Sequence, residues 1–238
     1  VTDRPADRFP KSDYREYPKT LAPDDFWGQV RRTVNGKPVS DEQILMMVRA
    51  IRANLELGAD DTLLDLACGN GALSRYFFDD CRQSLGVDHS EYLIEIAKAN
   101  FERAPDHVFS CSDACAYVRA EPSPKRFTKA LCYGSFSFFP AADADIVLAT
   151  LRQRFTNLRR ILLGNLPDKA RAGNFYPPGK DYSNELDDHA AQIGIWRSSA
   201  DLEALAARTG WRIKFLRMPP EFFGAHYRFD ALLEPLEA

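Results

Sequence analysis

Residues 63–74 read Leu-Leu-Asp-Leu-Ala-Cys-Gly-Asn-Gly-Ala-Leu-Ser: an apolar run carrying one acid, then a loop of small residues. The run reads as a buried strand and the glycines as its turn into a following segment. In an open α/β sheet, that arrangement sets a ligand at the carboxyl end of the strand, against backbone N–H groups. Asp65, Gly69 and Gly71 are therefore candidates for holding a nucleotide-like cofactor. The plain alternative is a strand and turn whose glycines serve only the turn, and the residues around it decide between the two.

Downstream, short apolar runs alternate with helical patterns. Strands are expected over 62–67, 84–88, 107–111, 128–133, 160–166, 211–218 and 225–232. Helices are expected over 71–78, after Ser90 with Leu93, Ile94, Ala97 and Phe101 inward, over 114–118 and 141–154, and from Ser198 to a stop at Gly210. Such alternation argues for a parallel, doubly wound sheet flanked by helices, the α/β class. Residues 167–196 break the pattern with turn formers, and a loop of that length in a folded core is expected to be a lid or binding loop.

Upstream, Ser40-Asp41-Glu42-Gln43 gives a capping-box signal, and Ile44, Met47, Val48, Ile51 and Leu55 recur at helical spacing up to a stop near Gly58. Residues 1–40 are rich in proline, including Pro5 and Pro10, yet carry Phe9, Tyr14, Tyr17, Phe26 and Trp27. Aromatics at that density offer apolar area for docking, so 1–58 reads as an arm and cap helix on a core of 59–238.

With 45% hydrophobic residues and a formal net charge of -3 over 238 residues, no bias pulls the chain toward nucleic acid or an anionic membrane surface. No apolar run approaches the ~20 residues of a membrane span and no signal-peptide core opens the chain, so a cytoplasmic location is expected. Val1 in first place suggests a trimmed chain or a part of something longer. The five cysteines, Cys68, Cys81, Cys111, Cys115 and Cys132, lack C-x-x-C spacing and are expected to be reduced, mostly buried thiols.

Two further acids strengthen the cofactor reading. Asp88 ends the second strand, 19 residues after Gly69, where a carboxylate can accept from both hydroxyls of a ribose. Asp113 follows the third strand and could accept from an exocyclic amine. The ordered set DLACGNG (65–71), GVDHS (86–90), Ser112-Asp113-Ala114 and LCYGSFSFF (131–139) resembles the class I S-adenosylmethionine-dependent methyltransferases. The resemblance implies a Rossmann-like seven-stranded sheet in the order 3-2-1-4-5-7-6, the last strand antiparallel. It implies S-adenosylmethionine as methyl donor and S-adenosylhomocysteine as product. Asp65, Ala67, Cys68, Gly69, Asn70 and Gly71 would border the methionine part, Asp88 the ribose with His89 beside it, and Asp113 and Ala114 the adenine, with Tyr133 close by. Ala67 departs from the glycine common at that place. A nicotinamide site is disfavoured because the third glycine of G-x-G-x-x-G is replaced by Ser74.

For the methyl acceptor, the candidates for a base or an orienting group are His226, His189 and Tyr133. In His226-Tyr227-Arg228-Phe229-Asp230, strand periodicity puts His226, Arg228 and Asp230 on one face, as an internal ion pair or with His226 toward an acceptor. Lys169, Arg171 and Lys180 are candidates for meeting a phosphate or carboxylate. Asn165 and Asp168 stand where some methyltransferases bind a divalent metal, but Tyr133-Gly134-Ser135 replaces the matching acid, and no metal is expected. The expected reaction is O-methylation of a small molecule, a sugar or nucleotide-sugar, as in carbohydrate biosynthesis. Alternatives are a silent cofactor-binding partner domain and an N-methyltransferase; one acting on protein or nucleic acid is disfavoured, since neither an Asn/Asp-Pro-Pro-Tyr end nor a basic stripe is present.

Overall fold

In the computed structural model of the chain, which describes residues 13–236, the Leu63–Ser74 stretch lies at the centre of a seven-stranded sheet. β3 (Thr62–Leu66) is buried at all five positions. Its flanks are β4 (Gln83–Asp88), β5 (His107–Cys111), β6 (Lys129–Tyr133), β7 (Arg160–Pro167), β8 (Trp211–Leu216) and β9 (Arg228–Pro235), in the order β5-β4-β3-β6-β7-β9-β8. Pairing is parallel from β5 through β7, and β9 runs antiparallel to both β7 and β8. Both the expected order and the antiparallel last strand are present. The chain leaves β5 and returns beside β3 as β6, so the switch point where open α/β sheets bind ligands lies at the carboxyl end of β3.

Both sheet faces are covered, which is why β3 reads as a continuous apolar run. Leu64 and Leu66 face a core shared with α4 (Ala114–Ala120), α5 (Ala141–Arg154) and α6 (Ser199–Thr209), while Leu63 faces the apolar stripe of α2 (Asp41–Leu55). α3 (Glu91–Phe101) closes a smaller cluster with Phe78 and Phe109. Ser40 caps α2 by accepting from the Gln43 N–H, and the helix ends before Gly58 because Glu56 turns left-handed at φ 50°. Ser198 and Asp201 make a reciprocal capping box on α6, and Gly210, at φ 84°, stops it.

Two expectations are corrected. The helix expected over 71–78 is only a 3-10 turn, Ser74–Phe77: Gly71 sits at φ 73° and the Ser74 hydroxyl is held by the Asp65 carboxylate. The strand expected from Ala225 begins at Arg228, because Pro219 through Tyr227 form successive turns closed by Ala225 N–H to Phe222 O and Tyr227 N–H to Gly224 O. All five cysteines are free, but Cys68 is only partly buried and Cys111 is exposed.

Residues 13–39 lie along the sheet's carboxyl edge. α1 (Phe26–Gln29) sets Phe26 edge-on against Phe101 at 4.9 Å, and Tyr14 meets Phe138 at 5.6 Å. A short hairpin of β1 (Thr33–Val34) and β2 (Lys37–Pro38) leads into α2. Pro5, Phe9 and Pro10 lie outside the described residues. Among the described residues no helix is long and apolar enough to cross a membrane.

Candidate functional site

A cavity of about 400 Å³ opens where the carboxyl ends of β3 to β7 converge. It has an acidic end over β3, β4 and β5 and a cationic end over β6, β7 and β9.

At the acidic end, Ala67, Cys68, Gly69 and Asn70 form the loop wall. Asp88 is 6% exposed. Its Oδ2 accepts from the Gly69 N–H at 2.9 Å and its Oδ1 from the Ser90 N–H at 2.9 Å, so each oxygen retains a lone pair for a further donor. His89 lies 3.5 Å from Asp88 on the rim. Burial raises the Asp88 carboxyl against the pull of these N–H groups and His89. Asp65 accepts from the Ser74 hydroxyl at 2.6 Å, and burial, the largest cause, pushes its carboxyl up to about 7. Asp113 lines the cavity with Ala114, but its Oδ1 also caps α4 through the Ala116 N–H at 2.9 Å.

Two loop residues also carry structural duties. The Asn70 amide donates to Phe26 O and to Gln29 Oε1, both at 2.8 Å, and its Oδ1 accepts from the Ala72 N–H, so it pins the N-terminal segment to the loop. Gly71 does not line the cavity; a Cβ there would stand 2.6 Å from the Phe109 ring, so its glycine serves the turn and the packing beneath it. Ala67, the departure from the usual glycine, lies at φ 55°. Left-handed backbone costs an L side chain about 1–2 kcal/mol, so Ala67→Gly is expected to stabilise the protein by about 1 kcal/mol after the added chain entropy of glycine. Thermal unfolding checks this as a rise in Tm.

At the cationic end, the Tyr133 ring lies on Gly164, where a Cβ would stand 2.0 Å from the ring. Its hydroxyl is buried without a hydrogen-bond partner, and burial raises it well above an ordinary phenol. Next to it β7 bulges: its register with β9 shifts between Leu163 and Leu166, and Asn165 sits at φ 60°. The Asp230 carboxylate accepts from the Asn165 N–H at 2.6 Å, Arg228 donates to the Asn165 carbonyl, and the Asn165 amide oxygen is left unpartnered. Burial pushes Asp230 up to about 6. Arg228 and Asp230 are thus joined across the backbone of Asn165 and form no direct ion pair among the described residues. Arg32 donates to Tyr133 O at 3.1 Å, and Arg31 lies 3.4 Å over the Tyr17 ring. Phe175 and Ile193 of the 168–197 segment close this end together with Tyr227 from the turn before β9, which packs with Tyr176 and Trp196 in one aromatic cluster.

The other acceptor-side expectations lie elsewhere. His226 is exposed in the turn before β9, with its carbonyl taken by Asn174, and His189 is exposed in the 168–197 segment; neither lines the cavity. Lys169, Arg171 and Lys180 do not reach it, being paired with Asp187 at 2.9 Å, Asp168 at 3.8 Å and Glu185 at 2.5 Å. Asp168 takes Arg217 at 2.6 Å. Among the described residues no cluster of three His, Cys, Asp or Glu side chains is placed to hold a metal. Arg31, Arg32 and Tyr14 were not singled out from sequence for the site; only the Arg31-Arg32 doublet inside an aromatic-rich segment hints at them.

Residues 63–156 match a family model described as methyltransferase domain. A curated relative, an uncharacterized methyltransferase of Schizosaccharomyces pombe, is 24% identical over 143 residues, 56% of this chain and 46% of the relative. The chain thus spans about half the length of that protein. Among solved structures, a SAM-dependent methyltransferase from Anabaena variabilis superposes with a TM-score of 0.61 at 19% identity, over 90% of this chain and 96% of the other. The magnesium protoporphyrin IX methyltransferase of Synechocystis, solved with bound SAM, gives 0.60 at 16% identity over 95% and 97%. Residues 63–156 are thus similar to a methyltransferase domain, and the sheet that carries them has the fold of the SAM-dependent methyltransferases among the solved structures.

The side chains fit that cofactor. Asp88 has lone pairs for a ribose, Asp65 makes no ion pair among the described residues and could take an amino group, and Arg32, within electrostatic reach of Asp65, has an unpartnered Nε for a carboxylate.

Proposed function

We propose that the protein transfers a methyl group from S-adenosylmethionine to an oxygen of a small molecule seated between Tyr133 and the 168–197 segment. The observation that carries this reading is the polarity of the cavity, acids over β3 to β5 and arginines over β6 to β9. Bound at the acidic end, the cofactor supplies an electrophilic methyl on a sulfonium. The work left to the protein is to align a nucleophile and keep water out. Tyr133, a neutral phenol, positions the acceptor oxygen rather than removing its proton, which passes to solvent before the methyl is transferred and the sulfonium leaves as a neutral thioether. Arg31, Arg32 and Arg228 surround that position with positive charge, which favours an oxygen nucleophile in its ionised form over an ammonium. The cavity volume falls within the ~300–1,000 Å³ of small-molecule sites, and a sugar or nucleotide-sugar hydroxyl remains the acceptor class proposed.

The test is incubation with methyl-labelled S-adenosylmethionine and a cell extract split by size. Label entering the low-mass fraction is expected; label confined to macromolecules, or none beyond background, contradicts the reading.

The Asp65 carboxyl gives a second check. An amino group bound beside it favours the carboxylate, so below about pH 7 binding expels a proton, and affinity rises with pH until Asp65 is ionised in the free protein. Calorimetry in buffers of different ionisation enthalpy is expected to show proton release that Asp65→Asn removes. Equal heats in all buffers would contradict it.

A further inference from the structure

The charged side chains of the described surface are widely paired: Arg52 with Asp80, Arg208 with Asp145 and Arg212 with Glu234 all lie within 2.8 Å. Three arginines that line the cavity differ. Arg31, Arg32 and Arg228 have no acidic partner within ion-pair distance among the described residues, and the Nε of each is buried without a hydrogen-bond acceptor. Each is fixed by something other than an acid: Arg31 by the Tyr17 ring, Arg32 by the Tyr133 carbonyl, Arg228 by the Asn165 carbonyl and, 4.8 Å away, the Tyr227 ring. Arg31 is moreover held at φ 51°, a strained backbone for an arginine. Uncompensated guanidinium groups repel one another, and burial adds to the cost. Burial, the largest cause, presses Arg32 downward from its ordinary pKa against the pull of Tyr133 and Asp65, and the Arg228 charge adds to the downward push.

The cofactor accounts for one of the three. Its carboxylate, next to an amino group beside Asp65, would fall to Arg32. Its sulfonium adds a further positive charge. Arg31 and Arg228 remain, and both lie within electrostatic reach of the Tyr14 hydroxyl. A planar fork of N–H donors suits a carboxylate or phosphate.

We propose that the acceptor is itself an anion, its carboxylate or phosphate group held between Arg31 and Arg228 with the Tyr14 hydroxyl as a third donor. This rests on the methyl-transfer reading and narrows it: neutral sugars and amines are poor acceptors, whereas hydroxy acids, sugar acids and phosphorylated sugars, nucleotide-sugars among them, are good ones. It also moves anion recognition from the loop cations Lys169, Arg171 and Lys180 to arginines of the N-terminal segment and β9.

The test needs no knowledge of the acceptor. Protein saturated with S-adenosylhomocysteine is titrated with inorganic phosphate and, separately, with acetate, at constant ionic strength, following thermal unfolding. At least one anion is expected to raise Tm. Arg228→Met and Arg31→Met should each weaken that anion by about tenfold or more while leaving S-adenosylhomocysteine affinity unchanged; Arg228→Lys, which keeps the charge but not the fork, should retain part of the shift and shows that the fold survives. Phosphate acting alone identifies a phosphorylated acceptor, and acetate acting alone a carboxylate. A shift that persists in both methionine variants, or no shift with either anion, overturns the proposal. Failure of S-adenosylhomocysteine itself to bind the unaltered protein would instead overturn the methyl-transfer reading on which it rests.

Discussion

Replacing Asp88 by alanine is expected to lower S-adenosylhomocysteine affinity by about 10²-fold or more, since two hydrogen bonds to a buried carboxylate are at stake and each is worth about 1.5–3 kcal/mol. The loss has two parts. The ribose hydroxyls lose their acceptor, and the Gly69 and Ser90 N–H groups, each 2.9 Å from an Asp88 oxygen, lose the carboxylate that fixes the loop. Asp88→Asn, which keeps the shape and one acceptor oxygen, should lose less. Calorimetric titration of both variants, beside their melting curves, separates the parts; an alanine variant that binds as the unaltered protein does would remove Asp88 from the site.

Tyr133→Phe is expected to move stability and turnover in opposite directions. The hydroxyl is buried and unpartnered in the free protein, so its removal should stabilise the fold by about 1 kcal/mol. Turnover should nevertheless fall by about 10²-fold, the scale on which small misplacements of a reacting atom act. Cofactor affinity should stay the same. Unchanged turnover, or a less stable phenylalanine variant, would show that the hydroxyl has a structural partner and no part in positioning the acceptor.

The fold was legible wherever one local rule acted alone. β3 announced itself because both its faces are buried, and α2 and α6 because Ser40 and Ser198 stand at their starts with apolar residues at helical spacing. The cofactor loop was legible as a place but not in each duty. Asn70 and Gly71 satisfy the expected spacing, yet one ties down the N-terminal segment and the other yields to Phe109, contacts made by residues far away in sequence.

The acceptor end was largely hidden for the same reason. His226 looked like an inward strand residue, but the turns from Pro219 to Tyr227 delay the strand until Arg228. Lys169 looked like a free cation because its partner Asp187 is brought near only by the folding of the 168–197 segment, while Lys180 pairs with Glu185 five residues on. Arg31, Arg32 and Arg228 converge because the N-terminal segment crosses the carboxyl edge beside an antiparallel last strand. The bulge that turns Asn165 toward them depends on Asp230 replacing a ladder partner at its N–H. No periodicity within either stretch encodes that meeting.

All of this rests on the Leu63–Ser74 loop holding an adenosyl sulfonium. The most direct test is calorimetric titration of the chain with S-adenosylmethionine, with S-adenosylhomocysteine and NAD alongside. Saturable binding of both adenosyl ligands at one site per chain, without binding of NAD, is the predicted result; a folded protein that binds neither would contradict the account at its root.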